Sequence, residues 1–235
     1  FFDIIIIILE TALGGWGKRR RTPRNESLGP GIFSFDFISP YAYLAAEGIE
    51  ALAAQHQCKV SWRPIFLAAL LNKNEQRGPA EIPTKRVYTF KNVCRLAHDA
   101  RLPLEPPPAH PFNPLLPLRI ACLRPEGELI LHLFRACWKD GRAIDNVDAL
   151  KPLMDEDTLK RAGTEEAKKI LRDNTQQAID EGVFGVPSIT IDDEVFWGYD
   201  SFAHLSRYLE GNDPLDNGKI EKWLSLPVGA SRNSS

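Results

Sequence analysis

Two hydrophobic periods run along this chain, and the first switch between them comes early. Phe33, Phe35 and Phe37 alternate with Ser34 and Asp36, which predicts a strand over 31–37. The run stops at Ser39-Pro40. Beyond it Leu44, Ala45, Ile49, Leu52 and Ala53 recur at helical spacing and predict a helix over 40–56. Serine is a favoured N-cap and proline is well tolerated at the first helical position, so Ser39 opens that helix. Cys58-Lys59-Val60-Ser61-Trp62-Arg63-Pro64-Ile65 predicts a second strand. A β-α-β start implies a parallel pair joined by a right-handed crossover.

From about 66 to 181 the period is helical and broken by proline, with helices expected over 66–72, 83–100, 113–125, 126–140, 148–154, 156–162 and 164–181. The stretch Pro103 to Pro117 holds seven prolines and reads mostly as extended connection. Strand signals return in Pro187-Ser188-Ile189-Thr190-Ile191 and Glu194-Val195-Phe196-Trp197, a hairpin turned at Asp192-Asp193. Phe202, Leu205 and Leu209 mark a closing helix over 200–210, ended by Gly211. The order is β-α-β, a helical block, then α-β-β-α. The expected class is therefore α/β: a thioredoxin-like fold with an inserted all-helical domain. Residues 31–65 and 182–226 form the two thioredoxin-like halves, and 66–181 the insertion. Residues 1–30, with the apolar Ile4 to Leu9 and the basic Lys18-Arg19-Arg20-Arg21, read as a disordered or targeting leader. Residues 227–235 read as a tail.

Composition narrows the function classes. A net charge of −2 gives no electrostatic case for nucleic acid. No apolar run approaches the roughly 20 residues needed to span a bilayer. Cys58, Cys94, Cys122 and Cys137 form no CxxC, and His56, His98, His110, His132 and His204 are scattered, so no metal site is proposed. The four cysteines read as free thiols in a reducing compartment.

The candidate chemistry starts at Ser39. A hydroxyl at the mouth of a helix, just past a strand, occupies an anion-binding position, because the free N–H groups and the macrodipole both favour negative charge. Spacing alone leaves two readings open: a cap only, or a cap that also holds a reactive anion. Four segments bear on the choice. They are Phe35-Asp36-Phe37-Ile38-Ser39-Pro40-Tyr41-Ala42-Tyr43-Leu44, Trp62-Arg63-Pro64-Ile65-Phe66-Leu67, Gly182-Val183-Phe184-Gly185-Val186-Pro187-Ser188 and Phe196-Trp197-Gly198-Tyr199-Asp200. In order and spacing, over about 31–226, they resemble the family of 2-hydroxychromene-2-carboxylate isomerases and kappa-class glutathione transferases, DsbA-like thioredoxin folds. Tyr41, Tyr43, the His110-Pro111-Phe112-Asn113-Pro114 segment and the ending Trp223-Leu224-Ser225-Leu226-Pro227 look more like the isomerase branch.

The resemblance implies glutathione as cofactor and Ser39 as the catalytic donor to its thiolate. Dithiol exchange is excluded at this position, because the four residues read Ser39-Pro40-Tyr41-Ala42 with no cysteine. Val186-Pro187 would be a cis bond whose backbone pairs with the cysteinyl unit of glutathione. Asp200 would meet the γ-glutamyl amino group, besides being a natural N-cap. Tyr199 stands where the family often carries a small hydroxyl residue, and Ser201 could replace that contact. Gln76 stands in the place of a family asparagine, and Lys85 matches a lysine that reaches glutathione or an anionic substrate; as a solvated surface charge it needs no such role. Tyr41 would wall the pocket, and Lys85 or Asn113 would meet a substrate carboxylate. Arg63, on a strand, reads as one half of a structural ion pair.

The implied activity is glutathione-dependent isomerisation between 2-hydroxychromene-2-carboxylate and trans-o-hydroxybenzylidenepyruvate-type substrates, by reversible thiolate addition. The alternatives are a kappa-class-like transferase that conjugates glutathione to electrophiles, and a non-catalytic thioredoxin-like scaffold that binds extended peptides. The implied partners are a small aromatic or electrophilic substrate and a second copy in a homodimer. The implied location is cytoplasmic or mitochondrial, with the peroxisome a further compartment used by the family.

Overall fold

Phe33 and Phe35 point to one side of the first strand and Ser34 to the other, and that division organises the sheet. In the computed structural model, which describes residues 29–215 and 217–227, β1 (Gly31–Phe35) sits at the centre of the order β2-β1-β3-β4. β2 (Val60–Pro64) runs parallel to β1, with Phe33 beside Trp62. β3 (Ser188–Ile191) runs antiparallel to β1, with Ser34 beside Ser188, and β4 (Glu194–Trp197) closes the antiparallel hairpin. This is the mixed sheet expected from the element order. Nearly all of the expected leader and tail lies outside the described residues.

The apolar face of the sheet carries Phe33, Phe35, Trp62, Ile189 and Ile191, all buried. It is covered by α1 (Pro40–Gln55), and Trp62 fixes the register by donating Nε1–H to Glu50 of that helix at 3.0 Å. The opposite face is more polar. There Arg63 donates to Ser34 Oγ at 3.0 Å and pairs with Glu181 at 2.7 Å, which makes it the structural ion pair expected.

Seven helices follow β2: α2 (Leu67–Lys73), α3 (Pro83–Asp99), α4 (Leu115–Leu123), α5 (Gly127–Trp138), α6 (Val147–Leu150), α7 (Glu156–Arg161) and α8 (Glu165–Asp180). After the hairpin come α9 (Phe202–Leu209) and α10 (Asn217–Leu224). Within the helical block, α6, α7 and α8 are each capped by their own N-cap side chain, Asn146, Asp155 and Thr164, whose oxygen takes an orphan N–H. The helical block locks to the sheet through aromatic rings. Phe134 of α5 lies 5.5 Å from Phe35 and 4.6 Å from Phe37, centroid to centroid, and all three rings are fully buried.

Several boundaries differ from the sequence expectation, each for a local reason. β1 ends at Phe35 rather than at 37, because the Asp36 carboxylate takes the Ile38 N–H at 3.0 Å and turns the chain. α6 stops at Leu150 rather than at 154, since Pro152 has no N–H and its ring would clash with the carbonyl four residues back. The closing helix opens as a 3₁₀ turn over Tyr199–Ser201 before α9 begins. A 3₁₀ turn at Pro79–Glu81 and the whole of α10 were not expected. α10 has Ile220, Trp223 and Leu224 at helical spacing, and all three are exposed.

The Phe35–Phe37–Phe134 cluster is the joint between sheet and helical block. Phe134→Ala should cost about 3–5 kcal/mol of unfolding free energy, read from the midpoint shift in urea at unchanged slope.

Candidate functional site

Ser39 sits at the mouth of α1 in extended conformation, only 8% exposed, and is its N-cap. Its Oγ accepts the Ala42 N–H at 3.2 Å. Capping therefore uses an acceptor lone pair and leaves the hydroxyl hydrogen to donate elsewhere. Pro40 occupies the first helical position and no acid lies in the first turn, so nothing in the helix itself neutralises the positive end of its dipole.

The loop that carries Ser39 is held from below by side chains far away in sequence. Trp138 donates Nε1–H to the Phe37 carbonyl at 2.8 Å, and His110 Nε2 lies 2.9 Å from the Ile38 carbonyl. A carbonyl only accepts, so that ring nitrogen carries the proton. Burial holds the His110 imidazole below the usual histidine range, and the nearby Arg86 charge adds to this against the opposing Ile38 bond. Asp36 is fully buried and bridges two elements, its carboxylate accepting from Ile38 N at 3.0 Å and from Leu67 N, at the start of α2, at 2.9 Å. Burial pushes its carboxyl up to about 7, although both N–H groups oppose the rise. The Asp36 carbonyl also takes the Ser39 N–H at 3.1 Å.

Four other expected residues, Val186, Pro187, Asp200 and Tyr41, lie at this end of the sheet. Ser34 pairs with Ser188, so Pro187 lies beside the end of β1 from which the Ser39 loop departs. The Val186–Pro187 bond is cis, as the resemblance implied. Neither the N–H nor the C=O of Val186 has a hydrogen-bond partner among the described residues. The Pro187 carbonyl accepts the Gly198 N–H at 2.9 Å, which sets the following turn and its exposed Asp200 at the same edge. Tyr41, in the first turn of α1, accepts a bond from Asn92 of α3 at 3.1 Å. Burial raises the Tyr41 phenol above its ordinary range, and the Tyr88 and Asp200 charges add to the rise while Asn92 opposes it. Tyr41, Asn92, Tyr88 and Asp200 are thus electrostatic neighbours.

The remaining expected residues are placed differently. Ser201 is buried and its hydroxyl donates to the Gly198 carbonyl at 2.7 Å, so it braces the turn. Asn113 is exposed and its carboxamide oxygen accepts Leu115 N–H at 3.1 Å, a local turn ahead of α4. Gln76 is exposed after α2, and Lys85 is exposed in the first turn of α3. Asp200 makes no side-chain capping bond, and α9 begins only beyond Ser201. Asp36, Asn92, His110 and Trp138 build the site and were not expected to. Their pairings span up to 101 residues, and no local spacing announces them. Among the described residues no group of three or more histidine, cysteine or acidic side chains could hold a metal, and no helix is long and apolar enough to cross a membrane.

A thioredoxin-type sheet with a helical insertion, a hydroxyl-capped helix mouth and a cis-proline opposite it define the class. The chain belongs to the DsbA-like thioredoxin domain family, whose model matches residues 32–210. It is 26% identical over 207 residues to glutathione S-transferase kappa 1 of Caenorhabditis elegans, covering 78% of this chain and 92% of that protein. It is 28% identical over 194 residues to the 2-hydroxychromene-2-carboxylate isomerase of Sphingobium xenophagum, covering 75% of this chain and 96% of that one. A solved structure of a 2-hydroxychromene-2-carboxylate isomerase superposes with a TM-score of 0.68 at 23% identity, over 83% of this chain and 99% of that chain. The structural likeness establishes the fold.

The buried Asp36 carboxyl gives a pH test. Its folded pKa lies above the unfolded value of 3.8, so the folded state binds the extra proton between about 4 and 7. The stability this group contributes is complete below about 4 and is lost as the pH rises through about 7. Asp36→Asn cannot titrate. The stability advantage of wild type over this variant should shrink by roughly 1 kcal/mol per pH unit across that window and level off above it, in urea unfolding at a series of pH values.

Proposed function

We propose that the protein binds glutathione at the mouth of α1 and uses its thiolate to isomerise aromatic enone acids of the 2-hydroxychromene-2-carboxylate and trans-o-hydroxybenzylidenepyruvate type. The observation that carries this reading is Ser39: a capping hydroxyl whose hydrogen remains free to donate, at an unneutralised helix N-terminus, where no cysteine of the chain can serve. The residues present suit glutathione. Val186 offers an unpaired N–H and C=O to an extended peptide, which is strand addition on a small scale. Asp200 offers an exposed carboxylate to an ammonium group.

When bound, glutathione supplies the nucleophile, a thiolate able to add reversibly to a conjugated carbon. The protein's part is to stabilise and orient. The Ser39 O–H and the Tyr41 N–H, which no helical carbonyl can reach, favour the anionic form of the sulfur. Each such interaction is worth of order 1 kcal/mol, or about one pKa unit, and together they bring a free thiol of about 8.5 towards neutrality. Tyr41 supplies an aromatic wall next to that sulfur. The His110 and Trp138 bonds fix the loop so that the donor geometry is set before the ligand arrives.

A kappa-type transferase is the second reading, supported by the match to 92% of the worm kappa enzyme. It uses the same site but releases glutathione covalently joined to an electrophile. Product analysis separates the two: glutathione regenerated with an isomerised acid supports the first, a stable conjugate of chlorodinitrobenzene the second.

The decisive measurement is ultraviolet titration of the glutathione thiolate in its complex. Ser39→Ala should raise the bound thiol pKa by about one unit and cost about 1 kcal/mol of stability from the lost cap. An unchanged thiol titration in the variant refutes the thiolate role, and a wild-type protein that binds no glutathione at millimolar concentration refutes both enzymatic readings.

A further inference from the structure

The inner stripe of α3 ends in a cation with no carboxylate partner among the described residues. Arg86, Phe90, Val93 and Ala97 recur at i, i+4, i+7 and i+11, so they share one face of the helix. Val93 and Ala97 are buried in the core, while Phe90 and Arg86 are half-buried. The stripe thus runs from the core to the edge of the site, and Arg86 is its last member. Its guanidinium lies 5.2 Å from the Phe90 ring centroid. No ion pair or hydrogen bond joins it to a carboxylate among the described residues, although Arg63, Arg124 and Arg135 each have one.

Placement links this cation to the Ser39 loop. Phe90 packs edge-on against His110 at 5.2 Å, and His110 bonds the Ile38 carbonyl, one residue before Ser39. Arg86 is close enough to His110 to bias its protonation. On the neighbouring stripe of the same helix, Thr89 and Asn92 touch Tyr41. Arg86 thus lies on the His110-facing stripe, adjacent to the stripe that touches Tyr41. Stability does not account for it. The first turn of α3 has no acid, and the helix dipole disfavours cations there. A half-buried guanidinium without an anion keeps a desolvation cost that the Phe90 contact offsets only in part.

The two residues singled out from sequence for a substrate carboxylate are less well set. The Asn113 oxygen is engaged by its own turn. Lys85 is exposed on the stripe next to Arg86, towards Tyr41 and Asn92. A planar guanidinium fork matches a carboxylate in two parallel bonds, which an ammonium does not.

We propose that Arg86 is the carboxylate-binding residue of the acceptor-substrate pocket, seating an aromatic carboxylic acid so that its conjugated chain faces Ser39 and its ring lies along Tyr41. The proposal rests on the glutathione reading for its geometry, but the carboxylate contact can be measured without glutathione. Glutathione itself carries carboxylates, and the same guanidinium could serve one of those.

The test uses the full chain as wild type, Arg86→Gln and Arg86→Lys, with folding followed by thermal melts. Binding of trans-cinnamate, an aryl acid that undergoes no ring opening, is read by tryptophan fluorescence. Binding of glutathione is read separately by calorimetry. Arg86→Gln should weaken cinnamate binding at least tenfold, and Arg86→Lys should recover part of the loss. Neutral benzylideneacetone should bind all three proteins within twofold, as should glutathione. Equal cinnamate affinity in wild type and Arg86→Gln overturns the proposal. So does a parallel loss for benzylideneacetone, which marks a packing defect, or a selective loss of glutathione affinity, which assigns the guanidinium to the tripeptide. A wild-type protein that binds cinnamate through Arg86 but not glutathione sustains the carboxylate contact and refutes the glutathione reading.

Discussion

The backbone of residues 36–39 cannot be left to water, and most of this structure can be read as a consequence. The segment leaves the sheet at its buried end and must begin a helix within four residues. A buried carbonyl or N–H without a partner costs as much as a lost hydrogen bond. Here the partners come from elements the chain reaches much later. Trp138 at the end of α5 takes the Phe37 carbonyl and His110 takes the Ile38 carbonyl, while the Asp36 carboxylate ties Ile38 to the start of α2. The helical block is thus more than an appendage on a thioredoxin-type sheet. It supplies the donors without which the loop before Ser39 would carry unsatisfied polar groups.

That constraint explains how a single serine can cap the helix and still serve the proposed anion. An N-cap needs an acceptor lone pair aimed at the helix, whereas an anion needs a donor aimed outward. A hydroxyl offers both on one atom, and a loop braced at Phe37 and Ile38 keeps the atom in place. An alanine would forfeit both functions, and an aspartate would cap well but place a negative charge where the proposed thiolate belongs. Because the capping atom is not a thiol, the proposed nucleophile has to arrive with a ligand.

Local signals made much of this legible in the sequence. The period switch at Ser39-Pro40 marks β1 and α1, and alternation around Asp192-Asp193 marks the hairpin, because neighbours along the chain create both features. Ser39 was legible as an N-cap for a similar reason, whereas the cis bond at Pro187 and the interest in Asp200 came from the family resemblance, and the cap expected of Asp200 is not made. The unexpected residues are of another kind. Trp138 and His110 lie 101 and 72 residues from the Phe37 and Ile38 carbonyls they bond, so no local pattern pairs them. Asp36 looked like the polar member of an alternating strand, yet its carboxylate ends that strand. Ser201 and Asn113 were chosen as polar groups near a motif, but a hydroxyl or amide beside a turn tends to be taken by that turn, as both were here.

Arg86 and Lys85 show how helix geometry separates two neighbouring charges. In sequence they are adjacent cations, and Lys85 is the one that matches the family pattern. The helix separates them by about 100°, which sends Arg86 along the Phe90–Val93–Ala97 stripe and leaves Lys85 in solvent on the Tyr41 side. Arginine suits a half-buried position better than lysine, since its charge is more weakly hydrated and it stacks on an aromatic face. The same property leaves it able to accept a flat anion in place of water. A guanidinium that is already partly desolvated, oriented on Phe90 and without a carboxylate partner among the described residues gives up little more to bind a carboxylate, whereas a fully solvated lysine would first have to be ordered and stripped of water. The asymmetry between these adjacent cations thus follows from helix geometry and hydration, and it points to the half-buried one as the better-prepared receptor.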